Sequence, residues 1–222
     1  MSKRLQPFPT LVLDLDGTLV DSLADMTASL NRLMAAWGLA TFAASDVAPL
    51  VGDGTSKLVE RAFSARGRSA EARDAEAFLA DYVAHAPGAT HPYPGAPEAL
   101  SALRKMGWEL AICTNKPAAA TRSLLDALGL ARCFAAVGGG DSFAARKPDP
   151  DHLLGTIAAA GGKASRAVMV GDHANDMDAA RAADVPSIFA AWGYGAPAMA
   201  AGATAVARQF SELATIAPRL LR

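Results

Sequence analysis

The sequence predicts an α/β fold: a doubly wound parallel sheet with helices on both faces and a helical unit inserted into its first crossover. Three observations lead there. A short apolar run, Leu11-Val12-Leu13, ends at once in acids and glycine, as a buried strand opening into a loop does. From Leu23 to about Thr90 the chain reads as helices alone. After His91-Pro92-Tyr93-Pro94-Gly95, strand-length apolar runs alternate with helical stretches, the pattern of a parallel sheet buried on both sides.

The elements follow in order. Ser22 is placed to cap a helix, with Asp25 three residues on as the capping-box acid. Leu23, Met26, Leu30, Leu33, Met34 and Trp37 then recur at helical spacing until Gly38. Thr55 is expected to cap a helix burying Leu58, Val59, Ala62 and Phe63. Ser69 to His85 is a further helix, with Ala72, Ala75, Leu79, Tyr82 and Val83 inward. Beyond the proline boundary, strands are expected at 109–113, 134–137, 167–170 and 186–190. Helices are expected at 97–106, 118–128, 151–160 and 176–183. This divides the chain into a core of residues 1–22 plus 91–222 and a helical cap of residues 23–90. The hinges fall near Asp21-Ser22 and His91 to Pro94.

Composition narrows the class. The 222 residues are 51% hydrophobic and 19% charged, which favours a sizeable core over disorder. A net charge of −1 offers no basic surface for nucleic acid or an anionic membrane. No apolar run spans a bilayer uninterrupted. After Met1-Ser2-Lys3-Arg4 the first apolar run is too short for a signal-peptide core. Cys113 and Cys133 lack metal-binding spacing and fit a reducing compartment. A cytoplasmic monomer or homodimer is therefore expected.

Four segments at or just past strand ends carry the chemistry: Asp14-Leu15-Asp16-Gly17-Thr18, Thr114-Asn115-Lys116, Arg146-Lys147-Pro148, and Gly171-Asp172-His173-Ala174-Asn175-Asp176. An open parallel sheet binds ligands beyond the carboxyl ends of its strands, so these segments converge. Spacing of two puts Asp14 and Asp16 on one side of extended chain. One can attack as a carboxylate while the other donates a proton. Gly17 lets backbone approach a ligand. Asp172 and Asp176, one turn apart at a helix start, join Asp14 in an oxygen-only set that suits Mg2+ better than zinc. Lys147 is a cation that would offset phosphoryl charge. Thr114 and Asn115 offer donors for phosphate oxygens. Gly52-Asp53-Gly54 has no preceding strand and no P-loop pattern. It is read as a tight cap turn facing the site and contacting substrate. His173 is read as an exposed loop histidine.

In order, Asp14-Leu15-Asp16-Gly17-Thr18-Leu19-Val20-Asp21-Ser22, Thr114-Asn115-Lys116, Lys147-Pro148-Asp149-Pro150 and Gly171-Asp172 to Asp176 resemble the four signatures of the haloacid dehalogenase superfamily. The resemblance covers nearly the whole chain, and the helical insert is similar to the family's first cap type. It implies a Rossmann-like core of strand order 3-2-1-4-5. Asp14 would form an aspartyl-phosphate, and Asp16 would serve as acid and then base. Mg2+ would be held by Asp14, the Asp16 carbonyl and Asp172, with Asp176 orienting metal-bound water. Thr114 and the backbone at Gly17 and Asn115 would hold the phosphate, and Lys147 would neutralise it. The family's carbon–halogen hydrolases lack the second acid, so Asp16 points to phosphoryl transfer.

Within the phosphatases, Val51-Gly52-Asp53-Gly54, Tyr93-Pro94-Gly95 and Trp192-Gly193-Tyr194-Gly195 resemble the phosphoglycolate phosphatase branch. The expected substrate is a small phosphoester, 2-phosphoglycolate foremost. The alternatives are a phosphosugar phosphatase, a mutase of the β-phosphoglucomutase kind, and a non-catalytic binding protein that kept the fold.

Overall fold

A computed structural model describes residues 8–221. The expectation for Met1 to Arg4 lies outside them. The chain runs β1 (Thr10–Leu13), β2 (Val20–Asp21), α1 (Leu23–Ala36), α2 (Ala44–Val47), α3 (Thr55–Ser64) and α4 (Ala72–His85). It continues through β3 (His91–Pro92), α5 (Ala96–Lys105), β4 (Glu109–Cys113), α6 (Ala118–Ala127), β5 (Ala136–Gly138) and α7 (Pro150–Ala159). The last elements are β6 (Ala167–Gly171), α8 (Ala174–Ala182), β7 (Ser187–Ala190), β8 (Ala205–Ala207) and α9 (Leu213–Leu220).

The main sheet is parallel, in the order β5-β4-β1-β6-β7-β8. Its first five strands take the expected 3-2-1-4-5 arrangement, and β8 extends it by one. Three residues, Ala205-Val206-Ala207, are too short a run to announce a strand, and Val206 is half exposed. The period-2 alternation of β1, β4 and β6 fills two cores. Leu11, Leu13, Leu110, Ile112, Val168 and Val170 face α5 and the Phe210–Leu213 region. Val12, Ala111, Cys113, Ala167 and Met169 face α7 and α8 on the other side.

Helices α1 to α4 close their own core around Met26, Leu30, Met34, Leu58, Phe63, Phe78 and Tyr82. The chain enters and leaves this unit through β2 and β3, which pair antiparallel with Val20 opposite Pro92 and Asp21 opposite His91. Neither two-residue strand was foreseen, and α2 was also missed.

Local expectations at the helix ends need correcting. Ser22 does not cap α1 with its side chain; its Oγ donates to Asp16 Oδ1 at 2.5 Å. Asp25 instead accepts from the backbone N–H groups of Gly88, Ala89 and Thr90 and from Thr90 Oγ1. The spacing for a capping box was present, but Asp16 took the Ser22 hydroxyl and the Gly88–Thr90 backbone took Asp25. The cap of α3 is Gly54, at φ +87°, and Thr55 is the first helical residue. In α4 the inward stripe is Asp74, Phe78 and Tyr82, at i, i+4, i+8, while Val83 points out and is 41% exposed.

Candidate active site

The site forms where β4, β1 and β6 end side by side. Asp14 follows β1, and its N–H donates to Val170 O on β6 at 2.9 Å. Thr114 follows β4 and is tied to Gly138 O on β5 at 2.9 Å. Asp172 follows β6. All three side chains are buried.

Carboxylate oxygens of Asp14, Asp172 and Asp176 lie within 4.8 Å of one another. Lys147 answers part of that charge. Its Nζ sits 2.9 Å from Asp14 Oδ1 and 2.6 Å from Asp176 Oδ1. Only the Asp176 contact has hydrogen-bond geometry, so Asp14 Oδ1 is a buried oxygen without a hydrogen-bond partner. Burial opposes the Lys147 charge, but Asp14 and Asp176 outweigh it and raise the lysine pKa. Asp172 behaves oppositely. Burial, then the charge of Asp14, pushes its carboxyl up to about 6, against hydrogen bonds from Thr18 and the Tyr194 and Gly195 backbone. Burial likewise raises Asp176 despite Lys147. Three dry carboxylates, one with an orphaned oxygen, and a single shared lysine fit a hard divalent cation.

The surroundings hold these groups in place. Thr18 Oγ1 donates to Asp172 Oδ1 at 2.8 Å, and Tyr194 N donates to Asp172 Oδ2 at 2.8 Å. Gly17 has φ +84°, and a methyl group there would collide with the Asp172 carboxylate. Lys147 is anchored through its backbone. Its N–H donates to His152 Nδ1 at 3.1 Å, and His152 Nε2 lies 3.2 Å from Gly138 O. His152 is fully buried, and burial with the nearby Lys147 charge lowers its pKa to about 4. Asn115 Nδ2 donates at 3.0 Å to both Lys147 O and Gly52 O.

Asp16 stands apart from the acid triad. Its carboxylate receives Lys116 Nζ at 2.7 and 2.8 Å as well as Ser22 Oγ. Lys116 also donates to Tyr82 Oη at 3.2 Å. Lys116 stands inside the Thr114-Asn115-Lys116 segment that the sequence singled out, where it had no assigned role.

The helical unit closes the site from above. Gly52 and Gly54 line a cavity of about 40 Å³ over Asp14 and Asp16. A second space of about 160 Å³ beside it adds Asp172, His173 and Tyr194. Asp53 binds the core side chain Asn175 at 2.5 Å and also pairs with Arg61. His173 is not an exposed loop residue. Half buried, it serves as the N-cap of α8, its ring lies against Gly52, and burial depresses its pKa. Thr18, Asn175 and Tyr194 stood inside the sequence motifs without an assigned role. The side-chain partners, Asp172 for Thr18, Asp53 for Asn175 and Asp21 for Tyr194, lie more than 120 residues away, beyond the reach of local pattern.

Residues 8–184 match the sequence model for haloacid dehalogenase-like hydrolase. The chain belongs to this hydrolase family. It is 48% identical over 190 residues to a phosphoglycolate phosphatase of Agrobacterium fabrum, covering 84% of this chain and 82% of that one. It is 42% identical over 212 residues to a phosphoglycolate phosphatase of Rhodospirillum rubrum, covering 91% and 88%. Among solved structures, one described as a predicted phosphoglycolate phosphatase from Haemophilus somnus superposes with a TM-score of 0.86 at 26% identity, covering 96% of this chain and 99% of the other. No helix among the described residues is long and apolar enough to cross a membrane.

Proposed function

We propose that the protein is a magnesium-dependent phosphomonoesterase whose substrate is 2-phosphoglycolate, released as glycolate and phosphate. The observation that carries this reading is the unpartnered Asp14 Oδ1, buried beside Lys147 and opening on a cavity shared with Asp16. Similarity to the phosphoglycolate phosphatases supports the substrate.

Asp14 attacks phosphorus and the ester bond breaks, leaving an aspartyl-phosphate. Asp16, on the cavity side, gives its proton to the departing oxygen. It then takes one from the water that cleaves the acyl phosphate. Thr114 and the backbone at Gly17 and Asn115 hold the phosphoryl oxygens, and Lys147 balances their charge. Asp14, Asp172 and the Asp16 carbonyl would hold Mg2+, and Asp176 would orient water beside it. When bound, the ion supplies charge to the phosphoryl group and aligns it with Asp14. The helical unit, residues 23–90, excludes water from the intermediate. Two unpaired cysteines fit a cytoplasmic enzyme.

The test is phosphate release with Mg2+ across phosphoglycolate, sugar phosphates and nucleotides, ranked by kcat/KM, with isomerised sugar phosphate measured in parallel. Phosphoglycolate should lead. A sugar phosphate that leads, or that isomerises without releasing phosphate, overturns the substrate. Asp14→Asn should abolish turnover; near wild-type turnover would remove Asp14 as nucleophile.

A further inference from the structure

Lys116 is an expensive residue to bury, and phosphoryl chemistry does not require it, since Lys147 and the acid triad already serve the reacting group. Lys116 lines the smaller cavity, and its ammonium is held there by Asp16 and Tyr82. Among the described side chains lining that cavity it carries the only positive charge. The wall opposite is apolar: Met26, Val51, Leu58, Phe78 and Leu79. Tyr82 brings a hydroxyl 3.2 Å from Lys116 Nζ, with its ring centroid 4.4 Å from the same atom. The first residue of α3, Thr55, also lines the cavity, and no side chain caps this ten-residue helix. Its free N–H groups and the positive end of its dipole therefore face the space. A neutral leaving group would find little to bind here. An anionic one would find a point charge, a hydroxyl and a helix start.

We propose that Lys116 is the receptor for a carboxylate on the leaving group, assisted by Tyr82 Oη and the α3 N-terminus, and that it makes this site selective for phosphoesters of hydroxy acids. The assignment rests on the phosphomonoesterase reading of the same site and adds the residue that chooses among its substrates. A carboxylate buried among those apolar side chains requires a cation within hydrogen-bond reach. In this structure that ammonium rests on Asp16, so the substrate's carboxylate enters by sharing it.

A purely orienting Lys116, fixing Asp16 and nothing else, would slow every phosphoester alike. A carboxylate receptor would sort them. The experiment compares 2-phosphoglycolate with 2-hydroxyethyl phosphate, which replaces the carboxylate by a neutral alcohol at similar size. Wild type should favour phosphoglycolate in kcat/KM by about tenfold or more, as expected for one charge-assisted contact. Lys116→Met should bring that preference to within about threefold of unity, chiefly through KM for phosphoglycolate, while Lys116→Arg retains part of it. If turnover by Lys116→Met is too low to measure, the same ratio is read as Kd by calorimetry in the Asp14→Asn background with Mg2+. If the Met variant does not fold, Lys116→Gln replaces it. A preference for phosphoglycolate that survives loss of the charge overturns the proposal and leaves the substrate reading intact. A wild type that prefers neutral phosphoesters defeats the substrate reading itself.

Discussion

Lys147 Nζ lies 2.9 Å from Asp14 Oδ1, and both side chains are buried at the centre of the sheet's carboxyl edge. The same ammonium serves Asp176, so one cation is spread over an acid cluster it cannot neutralise. Lys147→Met should therefore cost about 3–5 kcal/mol of folding stability, the usual result of stripping a buried ion pair of one partner. Mg2+ should return part of the loss, because it enters the same cluster. Urea unfolding with and without Mg2+ checks both. A variant as stable as wild type in the absence of metal would contradict this charge balance.

The metal-free protein should respond to pH through Asp172. Its folded pKa of about 6 exceeds the ordinary value of 3.8, so its proton favours the fold below that range. This contribution is lost as pH rises through about 6. The ion can then take the proton's place. Mg2+ should raise Tm clearly at pH 7.5 and progressively less at pH 6 and 5. A stabilisation of equal size at all three would argue against Asp172 as a ligand.

Gly17→Ala tests how closely backbone and ligand carboxylate approach. The position has φ +84°, and its added methyl group meets Asp172 rather than a movable apolar tip. Loss of the Mg2+-induced Tm shift is expected, together with a fall in turnover of about a hundredfold or more, as misplacement of a catalytic group by an ångström produces. Normal Mg2+ affinity in this variant would show that the Asp172 carboxylate has room to shift.

His152 sets a second pH dependence of opposite sign. Its folded pKa of about 4 lies below the ordinary 6.5, so the fold holds it neutral. The unfolded chain binds the extra proton between these values, so stability is full above about 6.5 and declines as pH falls toward 4. Between pH 8 and pH 5 this should remove about 1–2 kcal/mol from wild type that His152→Gln does not lose. Paired urea titrations cancel the terms common to both proteins. Parallel stability curves would mean that His152 is protonated without penalty.

Much of this molecule could be read from its sequence. The strands β1, β4 and β6 were legible because each is a short apolar run that ends in residues unsuited to a strand: Asp14, Thr114 and Asp172. The positions that would gather at the sheet edge followed from that topology. What escaped was decided by partners outside the local pattern. Ser22 and Asp25 satisfy a local capping rule, yet Asp16 and the Gly88–Thr90 backbone claim them. His173 looked like a loop residue because nothing nearby in sequence shows that Gly52 covers its ring. Lys116 stood inside the Thr114-Asn115-Lys116 segment without a role because the pairing that defines it spans 100 residues.

The pairing of Val20–Asp21 with His91–Pro92 has a consequence for how such chains diversify. The two ends of the helical unit leave the sheet as neighbours, about 5 Å apart as opposed residues in an antiparallel ladder are. A unit attached at adjoining points can be exchanged, enlarged or excised without rerouting the strands beneath it. A two-residue turn could bridge Asp21 to His91 and leave a shorter chain with the same catalytic floor. The reactive groups and the selective roof are thus separable modules. Only Lys116, a floor residue that reads the leaving group, would carry selectivity across such an exchange.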